Sequence, residues 1–229
     1  GEQKFASQTC YGISERCIAA LISMHGDDKG LVLPPLTAPV QAIIVPITIG
    51  KRHEDVLAAA EKLKNDLTAA GFRVKIDTRD LRPGAKYYWW ELRGVPLRLE
   101  LGPRDLDAGK VMIVKRTGEK AQIELDAMTG EVTRVLGEIA EGIRTRAEEH
   151  TKSHLCTVTS MEALGATLNE GKVAVVSWCQ HKGCGDVIVE KTSASILGTN
   201  ARSQYVSETT GVCIVCGKPG TATLVGRTY

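Results

Sequence analysis

Between Pro83 and Asp105 the hydrophobic period changes once, and that change dictates a helix running into a strand. Pro83 is placed to open the helix, where its missing N–H costs nothing, and Gly94 is placed to close it. The helix is short, about three turns at 3.6 residues each. Glu91 falls near its C-terminal end, where the macrodipole opposes a negative charge, so helix stability does not explain it. After Gly94 the pattern becomes strict alternation. Leu97, Leu99 and Leu101 take one face of a strand, and Arg98 and Glu100 take the other. Gly102-Pro103 ends the strand, and Asp105 is expected on the turn that follows. Tyr87, Tyr88, Trp89 and Trp90 stand side by side in a chain that is only 4% aromatic. A sheet edge is therefore expected to carry an acid, a base and a second acid beside several rings.

That combination suits guanine. A carboxylate accepts from the ring N1–H and the exocyclic amine, while an arginine donates in a fork to O6 and N7. Aromatic rings supply stacking for unpaired bases, the usual means of reading single-stranded RNA. The competing reading is an exposed ion-pair cluster of Glu91, Arg98 and Asp105 on a solvated strand face.

The totals narrow the class. A chain of 229 residues with 43% hydrophobic and 24% charged residues is an ordinary globular protein of one large domain or two to three small ones. With 29 basic against 27 acidic residues the net charge is +2, so any RNA affinity must arise from local patches. No apolar run approaches the roughly 20 residues that a membrane span needs. The opening GEQKFASQTC has no apolar core and does not resemble a secretory signal. Seven cysteines in such a chain point to a reducing compartment and to metal or free thiols.

Read in order, residues 1–36 look like the end of a larger unit. A strand is expected into Gly12, then a helix from about Ser14 to Met24, with Ser14 at its N-cap and Gly26 closing it. Cys17, Ile18, Leu21 and Ile22 make its apolar face. Arg16 sits in the first turn, the wrong end for a cation unless an anion docks there. Leu31 to Pro39, with three prolines, reads as an extended linker. A strand–helix alternation follows: residues 40–47, a helix over 54–70, a strand over 72–79, the 83–106 stretch, two more strands, and a long helix over 129–150. That order predicts a mixed α/β sheet over 37–150. Lys120 is expected in the turn between the last two strands, where Lys115, Arg116 and Lys120 would form a small basic patch able to hold phosphates.

Residues 151–229 change character. Cys179 and Cys184 are spaced C-x4-C, and Cys213 and Cys216 are spaced C-x2-C. Two close pairs of thiolates suit a tetrahedral, closed, structural zinc site in a small α+β domain. Gly183, Gly185 and Gly217 would permit tight turns around the sulfurs. Two disulfides, or unrelated buried thiols, remain alternative readings, and His181 could replace one cysteine. Cys10, Cys17 and Cys156 have no partners by spacing.

The wording of the 83–106 stretch resembles the anticodon-binding domain of class II aminoacyl-tRNA synthetases, most closely that of the prolyl-tRNA synthetase family. The shared blocks run from Lys86 to Arg98 and from Gly102 to Asp105. The resemblance implies anticodon contacts at Glu91, Arg98, Asp105 and Lys120, and proline anticodons end in two guanines. The strand-helix unit within residues 1–36 is similar to motif 3 of class II synthetases. That likeness implies ATP contacts at Ser14 and Arg16, with Arg16 as a catalytic phosphate clamp. A zinc-bearing C-terminal domain ending in tyrosine, here GRTY, is similar to archaeal and eukaryotic-type members. The whole resemblance covers the chain as a C-terminal half: a catalytic-domain remnant (1–36), an anticodon-binding domain (37–150) and a zinc-binding domain (151–229). It implies ATP, Mg2+ and Zn2+, with tRNA(Pro) and proline as substrates, in a cytoplasmic homodimer. Family motifs 1 and 2 do not appear, so this stretch alone is expected to be inactive. A non-catalytic RNA-binding protein reusing the anticodon module is the rival reading. A threonyl or histidyl enzyme is disfavoured by the zinc-bearing tail and by GVPLRLELGPRD.

Overall fold

Ala42–Pro46 (β1) is buried at all five positions, as a strand must be when both faces of its sheet are covered. The structure is a computed structural model, and it describes residues 3–48, 52–199 and 211–227. It divides into two compact units, Gly1–Thr145 and Arg146–Tyr229.

In the first unit, β1 pairs in parallel with β2 (Val74–Ile76) on one side and β3 (Leu97–Leu101) on the other. Antiparallel β4 (Lys110–Lys115) and β5 (Lys120–Glu124) complete the order β2-β1-β3-β4-β5. Helix α1 (Arg16–His25) precedes the sheet. Helices α2 (His53–Ala69) and α3 (Pro83–Leu92) make the crossovers between the parallel strands. A short α4 (Pro103–Asp107) follows β3, and α5 (Met128–His154) follows β5.

One sheet face is sealed. Leu97, Leu99 and Leu101 are 0% exposed and meet Ala60, Leu63 and Leu67 of α2 and the Val132, Val135, Leu136, Ile139, Ile143 stripe of α5. Each such leucine removes apolar area worth about 1.5–3 kcal/mol from water. The other face is covered only in part, by Tyr87 and Trp90 of α3 over Ile43, Val45 and Val95. Arg98 and Glu100, half-buried, lie on that second face. Of the charged set, Arg98 thus stands on the central strand, not at the sheet edge that alternation alone suggested. Pairing of β3 with both β1 and β4 is what puts it there.

The expected linker is a strap fastened to this unit. Leu31 and Leu33 donate their N–H groups to the carbonyls of Leu92 and Gly94, and Val32, 3% exposed, joins the main core. Arg73 donates to the carbonyls of Pro35, Leu36 and Ala38, satisfying polar groups that the prolines leave without a ladder. Where the strap crosses the end of α3, Gly30 (φ +123°) and Gly94 (φ +70°) allow backbones to touch. A Cβ at Gly30 would lie 2.5 Å from the Leu92 carbonyl oxygen, and one at Gly94 would lie 2.6 Å from that of Leu31.

Helix α1 forms near where expected and Gly26 closes it, but its N-cap is Glu15 rather than Ser14, without a side-chain cap; Ser14 Oγ instead accepts the Arg16 N–H at 3.4 Å. None of its residues is buried, and Ile18 and Ile22 of its apolar face are exposed. The strand expected into Gly12 does not form, because no edge among the described residues pairs with that segment.

The second unit is built from β6 (Leu155–Thr157), α6 (Met161–Asn169), β7 (Val173–Trp178), α7 (Lys182–Thr192), β8 (Ser195–Thr199), β9 (Gly211–Val212) and β10 (Pro219–Gly226). Its sheet runs β6-β7-β10-β8, with β9 against β10. Ser160 caps α6 through the Ala163 N–H. Leu164, Leu168, Ile188 and Val225 form the core. Among the described residues, no helix is long and apolar enough to cross a membrane.

Candidate nucleic-acid and metal sites

Four consecutive aromatic residues on a helix cannot share a face, and α3 sends them in different directions. Tyr87 and Trp90, three apart, turn to the sheet, while Tyr88 is 74% exposed. Trp89 meets two guanidinium groups, Arg79 at 4.2 Å and Arg93 at 3.3 Å from the ring centre. Below them Asp77, 3% exposed, binds three side chains. Its carboxylate accepts from Trp90 Nε1 at 2.7 Å and from Arg79 Nη2 at 2.5 Å, and its carbonyl accepts from Lys86 Nζ at 3.1 Å. Burial raises the Asp77 pKa, but the hydrogen bonds from Arg79 and Trp90 outweigh it and hold the carboxyl below its usual value.

A cleft of about 660 Å³ opens beside α3, and Lys29, Tyr87, Tyr88, Glu91, Arg98 and Lys120 are on its walls. Three of the four side chains singled out from the sequence, Glu91, Arg98 and Lys120, are therefore brought together. Glu91 is near the C-terminal end of α3, paired with Lys29 at 3.5 Å. Arg98 stacks its guanidinium 4.0 Å from the Tyr87 ring centre and donates its Nε–H to Glu100 at 2.9 Å. Burial first, then the charge of Glu100, pushes the Tyr87 phenol well above its ordinary range, so it stays a neutral donor. Lys120 is exposed and opens β5 rather than sitting in a turn, because it pairs with Val114 across the ladder. Asp105 does not line the cleft. It lies on α4, where its Oδ2 accepts the Gly102 N–H at 2.9 Å, and its Oδ1 is 3.4 Å from Gln122 Nε2.

The basic patch of Lys115, Arg116 and Lys120 does not form as expected. Arg116, 6% exposed, donates to both Asp27 oxygens and to the Glu91 carbonyl. The Arg116 hydrogen bonds in turn hold Asp27 below the usual carboxylate range. Lys115 is shared by Glu119 and Glu138. Glu91, Arg98 and Asp105 do not pair with one another either; each has a different partner. Glu100 was legible as a same-face neighbour of Arg98 two residues along the strand. Lys29 and Asp77 carried no such signal, since only folding brings them to α3.

In the second unit the sulfurs of Cys179, Cys184, Cys213 and Cys216 all lie within 4.8 Å of one another. Cys179 and Cys216 are 3.7 Å apart, too far for a disulfide, and all four thiols are free. A tetrahedron of sulfurs about 2.3 Å from zinc has edges of roughly 3.8 Å, so the set fits that ion. Burial opposes ionisation at Cys213, but backbone N–H groups, Cys216 and Val215 foremost, bring it down to about 6. Cys184 is pushed up to about 12 by burial and by sharing its proton with Cys216 and Cys179. Gly183 and Gly185 lie within α7 rather than in turns, whereas Gly217 has φ +71°. His181 caps α7, its Nδ1 accepting the Gly183 N–H at 3.3 Å, and is outside the sulfur set. Cys10 and Cys17 are exposed and Cys156 is half-buried.

The mixed parallel–antiparallel sheet is consistent with an anticodon-binding module, and residues 41–134 match the family described as "Anticodon binding domain". Residues 161–229 match the family described as "Prolyl-tRNA synthetase, C-terminal". The chain is similar along its full length to proteins named "Proline--tRNA ligase". It is 69% identical to that of Methanoregula boonei, 55% to that of Methanocorpusculum labreanum and 49% to that of Methanoculleus marisnigri. It covers 48% of each of these, so it spans about half the length of the curated relatives it matches. The chain belongs to the prolyl-tRNA synthetase family.

Proposed function

We propose that the protein to which this chain belongs attaches proline to tRNA(Pro) through prolyl-adenylate, and that this half of it selects the tRNA. The observation that carries this reading is the convergence of Glu91, Arg98 and Lys120 on one cleft beside exposed Tyr88. Glu91 would accept from the N1–H and amine of a guanine, Arg98 would donate to O6 and N7, and Lys120 would hold a base or phosphate. Asp105 would contribute from the cleft's margin through whatever acceptor capacity its cap to Gly102 leaves.

Arg16, exposed in the first turn of α1 with Ser14 beside it, is suited to the phosphates of ATP. In adenylate formation the proline carboxylate attacks the α-phosphorus and pyrophosphate leaves. A fixed guanidinium would stabilise the negative charge that builds on the phosphate oxygens. Mg2+, when bound with ATP, offsets phosphate charge. Cys179, Cys184, Cys213 and Cys216 would hold a structural Zn2+ in the domain over 151–229. The protein would act in the cytoplasm as a homodimer, a reading that rests on family likeness alone.

Paired substitutions in the intact protein test this. Glu91→Ala should lower tRNA charging by roughly 10- to 100-fold, the worth of one good base contact, and leave proline-dependent ATP–pyrophosphate exchange unchanged. Arg16→Ala should instead depress the exchange. Equal loss of both activities in Glu91→Ala would remove it from the anticodon site. Absence of exchange in the unmodified protein would favour a non-catalytic RNA binder.

A further inference from the structure

Against Arg98 of the cleft wall stands an acid that the anticodon reading does not use. Glu100 lies two residues after Arg98 on the same face of β3, and both side chains are 16% exposed. A carboxylate close behind an RNA-binding wall repels phosphate, so its presence needs a compensating role. Its geometry supplies one. Glu100 Oε1 receives the Arg98 Nε–H at 2.9 Å and lies 2.9 Å from Nη2, which engages the guanidinium along its side. Tyr87 supports the same guanidinium from its face, at 4.0 Å. A flexible four-torsion side chain is thereby held in one plane before any ligand arrives. Nη1 and the outer hydrogen of Nη2 remain as a parallel donor pair. That end-on fork is what O6 and N7 of a guanine require.

We propose that Glu100 is a positioning residue for guanine recognition, fixing Arg98 side-on against Tyr87 so that its end-on fork meets a single guanine. This rests on the anticodon reading above. Glu100 touches no base; it acts by reducing the ordering that Arg98 would otherwise undergo on binding. The consequence is an unusual pair of signs. Removing Glu100 should relax discrimination and, at the same time, leave unchanged or strengthen the binding of RNA that lacks the guanine.

The test uses the 229-residue chain and a short RNA hairpin whose loop displays two adjacent guanines. Affinity is compared with hairpins in which one or the other guanine is adenine. Glu100→Ala should cut the guanine preference at one loop position by about 10-fold, with the adenine hairpin bound at least as well as by the parent. Glu100→Gln, whose amide oxygen still accepts from Nε, should stay within about 3-fold of the parent, which shows that the fold is intact. In an Arg98→Ala background, Glu100→Ala should have no further effect on discrimination. Undiminished preference in Glu100→Ala, or an equal loss for guanine and adenine hairpins, overturns the inference while the anticodon reading stands, provided Arg98→Ala does lose the preference. If Arg98→Ala keeps it, the anticodon reading falls and the positioning role with it.

Discussion

Serine at both Cys213 and Cys216 should unfold the Arg146–Tyr229 unit while the Gly1–Thr145 unit keeps its own protection. The reason is one of magnitude. Structural zinc in a four-ligand site contributes about 10–16 kcal/mol in small zinc-binding peptides, as much as or more than the entire 5–15 kcal/mol stability of an ordinary domain. In this unit the sulfurs join three separated segments: the end of β7, the first turn of α7 and the turn between β9 and β10. Without metal, the low Cys213 and high Cys184 pKa values describe thiols sharing protons in a tight cluster, a poor substitute for four bonds to an ion. Hydrogen exchange resolved by segment is the measurement. Amides of β7 and β10 should lose protection in the double variant and in chelator, while those of β1 and β3 should not. Retention of full protection in β7 and β10, with no metal bound to the parent, would dismiss the zinc assignment.

Asp77→Asn should destabilise the first unit by about 3 kcal/mol, the second large effect. It removes charge-assisted hydrogen bonds from a site 3% exposed and leaves Trp90 Nε1 and Arg79 facing an amide. Arg79 is 37% exposed and can turn to water, which keeps the loss below that of a fully buried pair. The pH dependence has a definite sign. The folded pKa of Asp77 lies below its usual value, so its contribution is complete above the unfolded pKa of about 3.9 and is lost as pH falls through the folded value. Denaturant unfolding at neutral pH should therefore separate parent from Asp77→Asn clearly. Below pH 4 the two should converge as the parent's carboxyl takes up its proton. A gap that stays constant down to the acid limit would mean that Asp77 acts through packing and not through its charge.

Local pattern carried much of the candidate site. The switch from helical to alternating period located α3 and β3 within a residue or two, and alternation alone separated Leu97, Leu99 and Leu101 from Arg98 and Glu100. Cysteine spacing was likewise sufficient to single out four sulfurs that the fold brings together. What failed were statements about neighbours. Lys115 and Arg116 looked like a phosphate patch, yet Arg116 is spent on Asp27, 89 residues earlier, and Lys115 on Glu138 of α5. The proline-rich 31–39 segment looked like free linker because proline predicts extended backbone but not what that backbone touches.

The sequence by itself determined which residues of β3 share a face, where α3 begins and ends, and which thiols stand at ligand spacing, because these follow from steric and periodic rules acting over a few residues. Only the tertiary structure decided that β3 is the central strand, that Lys29 reaches Glu91, and that Asp77 anchors the aromatic helix. Those outcomes depend on which distant segments win the competition to bury the same apolar surface and to satisfy the same polar groups, and no local pattern encodes that.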